Sequence, residues 1–457
     1  MNTRLTRRRL LRHAVTAGCA GFAAPSLIPS GVLARAGQPG ANDRIVLGGI
    51  GVRRMGGALL RQGFSRFDQV RIAAVADVDL RVAAAIGNHR EEDQRLVSER
   101  WWVSPRQADL SDVARYQDYR EILDRRDIDA VVIATPEHWH ALPCVHAAQA
   151  GKDIYCEKPL TRTIREGQKV VQAVKKYDVV FQTGTQRRSA IEWYTACMLV
   201  RNGRLGKLLR VVDLNYSSPI QPGEISAQEI PDGLDWNQWC GPSPLYPFHS
   251  SIQGNGMSPG LTYRSYQDFA GANFTCTGSH FLDMVQWGLG MDGGGPVEVW
   301  TEGEPFDSHS RRAPLVFMRY PGDIELQCTE RSSPPRFVGE HGWLTVRGTE
   351  VVSDPPELAK EPLVDPEVQL YQSTNHYRDW LDCIKERRQP GAHVEIGHRS
   401  VTVSHLGNIV RWVSERTGET GQRLQWDPHA ERFTNCDIAN EYLERPSRKP
   451  YELPEQV

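Results

Sequence analysis

Short apolar runs alternate with amphipathic stretches through the first two fifths of the chain. Runs typical of buried strands lie at residues 44–51, 70–77, 128–134, 153–156 and 179–183. Helical patterns follow the first four runs, at residues 55–62, 81–86, 140–150 and 164–177. Strands that alternate with helices of about ten residues predict right-handed crossovers and one parallel sheet. The first part of the chain is therefore predicted to be an α/β domain.

The later part of the chain has a different pattern. Residues 217–259 are rich in Pro, Gly, Ser and Gln and are long for a loop. We expect them to form a lid, or an arm that embraces a neighbouring subunit. An amphipathic helix is expected over residues 281–290, and the polar tail at 426–457 holds four prolines, which predicts an extended strap.

Length and charge narrow the class of protein. The chain has 457 residues, of which 40% are hydrophobic and 24% charged. Two domains of roughly 150–250 residues fit this length better than one compact core. Lysine and arginine total 54 against 56 acidic residues, so the formal charge is −2. Because there is no basic excess, we expect no nucleic-acid partner.

The amino terminus has the pattern of a twin-arginine export signal. Residues 1–36 contain six arginines and no acidic residue, with an arginine run at 7–9, a mildly apolar stretch at 14–33 and Ala-Arg-Ala at 34–36. We therefore expect the twin-arginine machinery as a partner and a periplasmic or other extracytoplasmic location. An uncleaved anchor is the alternative. The remaining chain has 48 basic and 56 acidic residues, a formal charge of −8.

A glycine turn follows the first predicted strand. The segment Gly51-Val52-Arg53-Arg54-Met55-Gly56 keeps the first and third glycines of G-x-G-x-x-G, but Arg53 replaces the second. A side chain there should push the loop or the phosphates outward, and Arg53 or Arg54 could compensate by pairing with phosphate. Asp77 ends the second strand, where it either accepts ribose hydroxyls or caps a helix. The first role favours NAD over NADP, although Arg81 leaves NADP open.

Three further segments follow the later strands. They are Ala134-Thr135-Pro136-Glu137-His138-Trp139-His140, Cys156-Glu157-Lys158-Pro159-Leu160 and Gly184-Thr185-Gln186-Arg187-Arg188. Together with the glycine turn and Asp77, they resemble the glucose–fructose oxidoreductase / inositol dehydrogenase (Gfo/Idh/MocA) family. The Glu-Lys-Pro segment is the most specific of these features, and the resemblance covers nearly the whole chain after the signal.

The resemblance implies a fold and an assembly. It implies a Rossmann NAD(P)-binding domain at residues 37–184. A substrate-binding and oligomerisation domain should follow at residues 185–457, an α+β domain with a large, mostly antiparallel open sheet. In such a fold the sheet face often makes a homo-oligomer, which we expect here.

The resemblance also implies roles for individual residues. Lys158 should reach both nicotinamide and substrate, and Glu157 should help to place the nicotinamide half of the cofactor. Residues expected to lie against the cofactor are Thr135, Pro136, His138 and Gln186. From the position of their segments, which should face the cofactor, Arg187, Tyr263 and Arg264 are expected to contact the substrate, and Arg264 would suit a carboxylate or a polyol. No metal site is expected, because the Thr-Pro-Glu-His context explains His138 without one.

A catalytic histidine should come from the second domain, in the pattern Asp-x-x-x-His after glycines. His280 fits this pattern, but Cys276 stands where the aspartate is expected. A thiol cannot orient or stabilise an imidazolium as a carboxylate does, so the base strength of His280 is in question. His280 is either the base or a residue that orients substrate. Asp283, on the following helix, is expected to point elsewhere.

The chemistry implied is hydride transfer between a nicotinamide and the hydroxyl-bearing carbon of a sugar or polyol. Lys158 would stabilise the alkoxide and His280 would accept the proton. Because an exported protein has no nucleotide pool to draw on, we expect NAD or NADP, with NAD favoured, to be tightly bound. Two alternatives stay open: an NAD-dependent glycoside-cleaving enzyme that oxidises, eliminates, adds water and reduces, and a non-catalytic sugar-binding protein.

Overall fold

The computed structural model describes residues 43–87, 110–254, 261–330 and 334–457. The predicted export signal at residues 1–36 lies outside these ranges. Within them, no helix combines the length and the apolar character needed to cross a membrane. All eight cysteines in the described part of the chain are free thiols, and six of them are buried.

A six-stranded parallel sheet forms the first half of the fold. Its strands are β1 (Ile45–Ile50), β2 (Val70–Ala76), β3 (Ala114–Tyr116), β4 (Ala130–Ile133), β5 (Asp153–Cys156) and β6 (Phe181–Thr183), in the spatial order β3-β2-β1-β4-β5-β6. All residues of β4 and β5 are buried, since helices cover both faces of the sheet. Five strands match predicted runs. The edge strand β3 has three half-buried or exposed residues, too few to give a pattern.

Helices connect these strands. They are α1 (Arg54–Ala58), which continues as a π-helical turn (Leu59–Phe64), α2 (Leu80–Ala84), α3 (Arg120–Leu123), α4 (Ala141–Gln149) and α5 (Ile164–Tyr177). The ends of α5 follow from its sequence: Thr163 and Glu166 form a capping box, and Asp178 ends the helix in the left-handed conformation. Because all the strands run the same way, the loops that follow them meet at one edge of the sheet.

A nine-stranded, mostly antiparallel sheet forms the second half. Its strands are β7 (Leu208–Leu214), β8 (Glu298–Glu302), β9 (Leu315–Tyr320), β10 (Ile324–Glu330), β11 (Arg336–Gly339), β12 (Gly342–Arg347), β13 (Glu350–Asp354), β14 (Leu424–Asp427) and β15 (Arg432–Phe433). The spatial order is β13-β12-β11-β7-β10-β9-β8-β14-β15, and β7 pairs with β10 in parallel. The predicted fold class is confirmed.

The helices of the second half follow in chain order. They are α6 (Ile191–Arg201), α7 (Trp236–Cys240), α8 (Ser250–Gln253), α9 (Ala272–Cys276), α10 (Gly278–Leu289), α11 (Glu357–Lys360), α12 (His376–Glu386), α13 (Val394–Thr417) and α14 (Asp437–Glu441). Helices α6, α10 and α13 cover the large sheet: Trp193, Leu282 and Leu406 share one buried core with Val211 and Leu326 of the strands.

Two segments of the second half return to the first sheet. Helix α12 packs Trp380 edge-on against Phe64 and Tyr155, with ring centroids 5.3 Å and 5.7 Å apart. Near the end of the chain, Tyr451 packs on Trp139 at 5.3 Å. These contacts join the two halves beside the loops that carry the predicted site residues.

Candidate dinucleotide and substrate site

An open cleft of about 990 Å³ borders the carboxyl edge of the parallel sheet. The first half of the chain lines it with residues that include Gly51, Asp77 and Thr135, and the second half adds Trp239 and Tyr263. Clefts that take cofactors have this mixture of apolar walls and few polar groups. The cleft therefore lies where a doubly wound sheet binds its ligand.

The glycine turn at the start of α1 is built for close approach. Gly51 has φ +73°, and a Cβ added there would lie 2.7 Å from the Thr135 side chain. A Cβ on Gly56 would lie 1.9 Å from the Gly51 carbonyl oxygen. Arg53, in place of the second glycine, is exposed, and both Arg53 and Arg54 line the cleft. The turn thus fits a pyrophosphate, with two cations supplementing the helix N-terminus.

Asp77 stands at the end of β2 and lines the cleft. Its carboxylate accepts one hydrogen bond from Val52 N and one from Asp79 N, each at 3.0 Å. Burial raises the pKa of Asp77 to about 6, although these two bonds act in the opposite direction. A carboxylate has about four acceptor positions, so acceptor capacity remains for ribose hydroxyls.

Asp79 takes the helix-capping role that was the alternative for Asp77. Its side chain accepts a hydrogen bond from Arg81 N at 3.1 Å and caps α2. The Arg81 guanidinium forms two further bonds to the same carboxylate, at 2.8 Å and 2.7 Å. Arg81, the residue that left NADP open, is therefore already paired with Asp79.

Residues 231–254 lie across the edge of the cleft. The backbone of this segment pairs with the loop after β2: Leu80 N donates to Gly233 O and Asp235 N donates to Val78 O, both at 2.9 Å. Gln253 donates to Asp79 Oδ2 at 3.3 Å, and its carbonyl accepts from Arg53 at 3.4 Å. Part of the predicted lid or arm thus closes over the glycine turn of its own chain.

Glu157 is buried at the end of β5 and is held on several sides. Its Oε1 accepts a hydrogen bond from Gln186 Nε2 at 2.8 Å and one from the Tyr155 hydroxyl at 3.3 Å. Its Oε2 accepts from Lys158 N at 3.2 Å, and burial raises the pKa of Glu157. A Cβ on Gly184 would lie 2.7 Å from Oε1. Glu157 and Gln186 therefore meet, as the sequence places them, and together fix the backbone of Lys158.

The Lys158 side chain crosses to the second half of the chain. Its Nζ donates to the Cys276 carbonyl at the end of α9, at 3.2 Å. Helix α9 is held at its start by Glu137, which accepts from Gly271 N at 3.1 Å and from Thr275 Oγ1 at 2.9 Å. Burial raises the pKa of Glu137 to about 7, while the charge on Lys158 is among the factors that lower it. Glu137 is not among the site residues predicted from the sequence, although its place in the Thr-Pro-Glu-His segment is a usable signal.

His280 lies in the first turn of α10, half-buried. Burial, together with the charges of Lys158 and Arg187, lowers its pKa well below the usual value, so the imidazole is neutral at neutral pH. Its Nδ1 is buried without a hydrogen-bond partner among the described residues. Asp283 does not orient it, because this carboxylate is paired with Arg188 at 2.8 Å. The expectation that Asp283 points elsewhere is confirmed.

The other predicted residues divide into two groups. Pro136 lines the cleft with Thr135. His138 instead packs between Trp239 and Phe269, its Nε2 donates to the Trp239 carbonyl oxygen at 2.9 Å, and burial lowers its pKa to about 3. His138 therefore joins the two halves of the chain.

Within the described ranges, no group of three His, Cys, Asp or Glu side chains is placed to hold a metal ion.

Arg187 and Arg264 lie near groups that also feel the charge of Lys158. Arg187 is an electrostatic neighbour of His280, and Arg264 of Glu137; Lys158 is a neighbour of both. Arg264 donates from Nε to the Tyr263 hydroxyl at 3.2 Å. The structure thus places the predicted catalytic and substrate-facing residues near one another, and Arg264 is bonded to Tyr263, which lines the cleft.

Two family models match the chain. The oxidoreductase family's NAD-binding Rossmann fold (GFO_IDH_MocA) matches residues 49–185, and its C-terminal alpha/beta domain (GFO_IDH_MocA_C2) matches residues 220–453. The chain belongs to the Gfo/Idh/MocA oxidoreductase family. Like other members, it has an NAD-binding Rossmann domain followed by an open-sheet domain.

Curated relatives in this family include dehydrogenases of sugars and inositols. Levoglucosan dehydrogenase of Pseudarthrobacter phenanthrenivorans is 40% identical over 92 residues, 20% of this chain and 24% of that enzyme. Myo-inositol 2-dehydrogenase of Thermotoga maritima is 26% identical over 159 residues, 34% of this chain and 45% of that enzyme. A glycosyl hydrolase family 109 protein of Shewanella pealeana is 28% identical over 167 residues, 36% of this chain and 34% of that protein. The chain thus spans less than half the length of each.

Solved structures share the fold over most of the chain. The WlbA dehydrogenase of Bordetella pertussis, in complex with NADH and UDP-GlcNAcA, superposes with a TM-score of 0.54 and 16% identity, covering 84% of this chain and 99% of that one. The aldose-aldose oxidoreductase of Caulobacter crescentus gives a TM-score of 0.53 and 18% identity, over 84% and 99%. At these identities the likeness shows the fold alone.

Proposed function

We propose that this protein is an exported oxidoreductase that moves a hydride between the hydroxyl-bearing carbon of a sugar or polyol and a tightly held nicotinamide cofactor. The observation that carries the proposal is the convergence of Lys158 and His280 beside a cleft whose glycine turn fits a dinucleotide. Relatives named for levoglucosan and myo-inositol support a polyhydroxylated substrate. A bound nicotinamide supplies the hydride acceptor or donor.

Lys158 and His280 divide the work on the reacting hydroxyl group. The Lys158 ammonium stabilises the negative charge that develops on the substrate oxygen. His280, neutral because of its burial, receives the hydroxyl proton. Glu137 acts as a positioning residue: it holds Gly271, just before α9, and Thr275 within α9, whose last carbonyl fixes Lys158 Nζ.

The adenosine side of the cleft favours NAD over NADP in this proposal. Asp77 and Asp79 both line it, so a ribose 2′-phosphate would meet two carboxylates. Arg81 does not offset them, because its guanidinium is bonded to Asp79 through two nitrogens.

The segment over the glycine turn supports tight retention of the cofactor. Gln253 ties the segment to Asp79 and Arg53 on both sides of the turn. A cofactor beneath this cover could leave only after these contacts open. The twin-arginine pattern of residues 1–36 fits tight retention of the cofactor, since that route carries proteins already folded.

The exposed face of the nine-stranded sheet is our proposed surface for a homo-oligomer.

Glycoside cleavage is the second candidate. The likeness to a glycosyl hydrolase family 109 protein favours it. This reaction would begin with the same oxidation, so the same Lys158 and His280 would serve it, but the cofactor would be restored within each cycle.

The test starts from the purified mature protein. The protein is denatured and the released small molecules are identified by mass. We expect NAD or NADH among them. If no nucleotide is released, and none is taken up from added NAD or NADP, the proposal fails. A sugar panel should then produce net reduced-nicotinamide absorbance. Free sugar from an aryl glycoside without net reduction would favour the second candidate.

Lys158→Met tests the site itself. It should abolish turnover while the protein keeps its nucleotide, since Lys158 holds the reacting oxygen rather than the phosphates. Lys207→Met, at an exposed lysine just before β7, is the matched control and should turn over normally. Full activity of Lys158→Met would remove Lys158 from the mechanism.

A further inference from the structure

Three cationic side chains at the substrate end of the site have no counter-charge in contact. Lys158 donates to a backbone carbonyl, Arg264 donates to the Tyr263 hydroxyl, and Arg187 stacks on the ring of Phe281. Among the residues that the structure describes, no carboxylate lies within ion-pair distance of any of the three head groups.

Other buried arginines of the same protein have acceptors: the fully buried Arg411 donates to the carbonyls of Tyr216 and Pro314, and others are paired with carboxylates. Arg188, the next residue after Arg187, contacts Asp283 at 2.8 Å and Asp292 at 2.7 Å. Arg162 is likewise bonded to Glu166, at 3.1 Å. Burial of a cation without a partner is unfavourable, and structural arginines are therefore normally paired. Unlike the adjacent Arg188, Arg187 has no group of opposite charge in contact, as expected of a residue that binds an anionic ligand.

The Arg187 guanidinium packs against aromatic rings. Its Cζ lies 4.3 Å from the ring centre of Phe281 and 6.0 Å from that of Trp193. Its Nε is buried with no acceptor within the described ranges. Glu192 is close enough to favour the charged form of Arg187 but forms no ion pair with it. A guanidinium fixed by aromatic faces presents its N–H edge to a planar, two-oxygen acceptor.

We propose that Arg187, which like Lys158 lies near His280, binds the carboxylate of an acidic sugar such as a uronic or aldonic acid. The proposal rests on the proposed function and names the substrate class of the same site. A neutral polyol would leave the Arg187 guanidinium unpaired in a half-buried position. A carboxylate would pair with it through two parallel hydrogen bonds, as Asp283 does with Arg188, which donates from Nε to Oδ2 at 2.9 Å and from Nη2 to Oδ1 at 2.8 Å.

The first test measures binding, separately from turnover. The nucleotide-loaded protein is titrated by calorimetry with D-glucuronate, D-galacturonate and D-gluconate, and with matched uncharged ligands: D-glucose, D-galactose and the methyl ester of glucuronate. We expect at least one acid to bind roughly 10-fold or more tightly than its uncharged match, because hydrogen bonds to charged groups are the stronger ones. Glucose 6-phosphate is also titrated, to compare binding of a phosphate group with binding of a carboxylate.

The second test removes the charge. Arg187→Met keeps an unbranched stem over Phe281 and should weaken binding of the preferred acid by about 10- to 100-fold, with little effect on its uncharged match. Arg187→Lys should recover part of the affinity. Arg347→Met, at an exposed arginine that ends β12, is the charge-matched control and should bind like the parent. Melting temperature and nucleotide content show that each variant is folded.

The outcomes separate this proposal from the proposed function. Equal binding of acids and uncharged matches, or undiminished binding of the acid by a folded Arg187→Met, would overturn it while oxidation of neutral sugars left the proposed function standing. Binding of glucose 6-phosphate as tight as that of the best acid would overturn a carboxylate as the recognised group. If Arg187→Met does not fold, the parent's ratio of acid to ester binding decides.

Discussion

Replacing Glu137 by glutamine should change how the stability of the protein depends on pH. Glu137 is buried between the Thr-Pro turn and α9, and burial raises its pKa from 4.5 to about 7. The folded protein therefore keeps a proton on Glu137 over a pH range in which the unfolded chain has lost it. Such a group stabilises the fold fully below pH 4.5, and this contribution is lost as the pH rises through 7.

The size of the effect follows from the shift in pKa. Between pH 4.5 and 7 the contribution of Glu137 amounts to about 3 kcal/mol, since one pKa unit corresponds to about 1.4 kcal/mol. Glutamine has nearly the same shape and its carbonyl oxygen can still accept from Gly271 N and Thr275 Oγ1, but it does not titrate. The stability of Glu137→Gln relative to the parent should thus rise by about 3 kcal/mol across this range.

Urea unfolding of both proteins, without added nucleotide, measures this difference from below pH 4.5 to above pH 7. Other buried acids such as Asp77 and Asp213 titrate in both proteins and cancel from the difference. Glu121→Gln, at an exposed glutamate in α3, is the control and should give a flat difference. A flat difference for Glu137→Gln, or one of opposite sign, would refute the assignment of a buried, protonated Glu137.

Three further predictions address the glycine turn, the buried pair of Asp283 and Arg188, and the segment at residues 231–254. Gly56→Ala should lose bound nucleotide and destabilise the fold by about 1–3 kcal/mol, because its Cβ would meet the Gly51 carbonyl; nucleotide content and urea unfolding check this, and a loaded, stable variant would contradict it. Asp283→Ala should cost about 3–5 kcal/mol in urea unfolding, because it leaves Arg188 buried with one partner fewer; a loss below about 1 kcal/mol would count against this. Gln253→Ala should release nucleotide about 5-fold faster during gel filtration, whereas an unchanged rate would show that the 231–254 segment is not a cover.

The fold was predictable because its signals are local. Continuous apolar runs give the strands of the parallel sheet, and the topology of such a sheet brings the residues after each strand to one edge. This is why Glu157 and Gln186 meet, as their positions after two different strands indicate. The edge strand β3 has no comparable signal, because its burial depends on neighbours rather than on its own composition.

The contacts that shape the site depend on distant pairs and carry no local pattern. Gln253 bonds to Asp79 across 174 positions, and Lys158 bonds to the Cys276 carbonyl across 118. His138 lies in a motif that implies cofactor contact, yet its side chain packs on Trp239 because that position faces the second half of the chain. Arg187 and Arg188 look alike in sequence, and their different partners follow only from the packing of α10.

Transfer of a labelled hydrogen tests directly whether hydride moves between the substrate and the nicotinamide at this site. The purified protein is incubated with the acid or polyol that binds it best, carrying deuterium on the carbons that bear its hydroxyl groups. The nucleotide is then released by denaturation and its mass is determined. The account predicts reduced nicotinamide nucleotide that is heavier by one deuterium in the parent, and none in Lys158→Met. Unlabelled nucleotide from an active parent, or label in the Lys158→Met nucleotide, would contradict hydride transfer at this site.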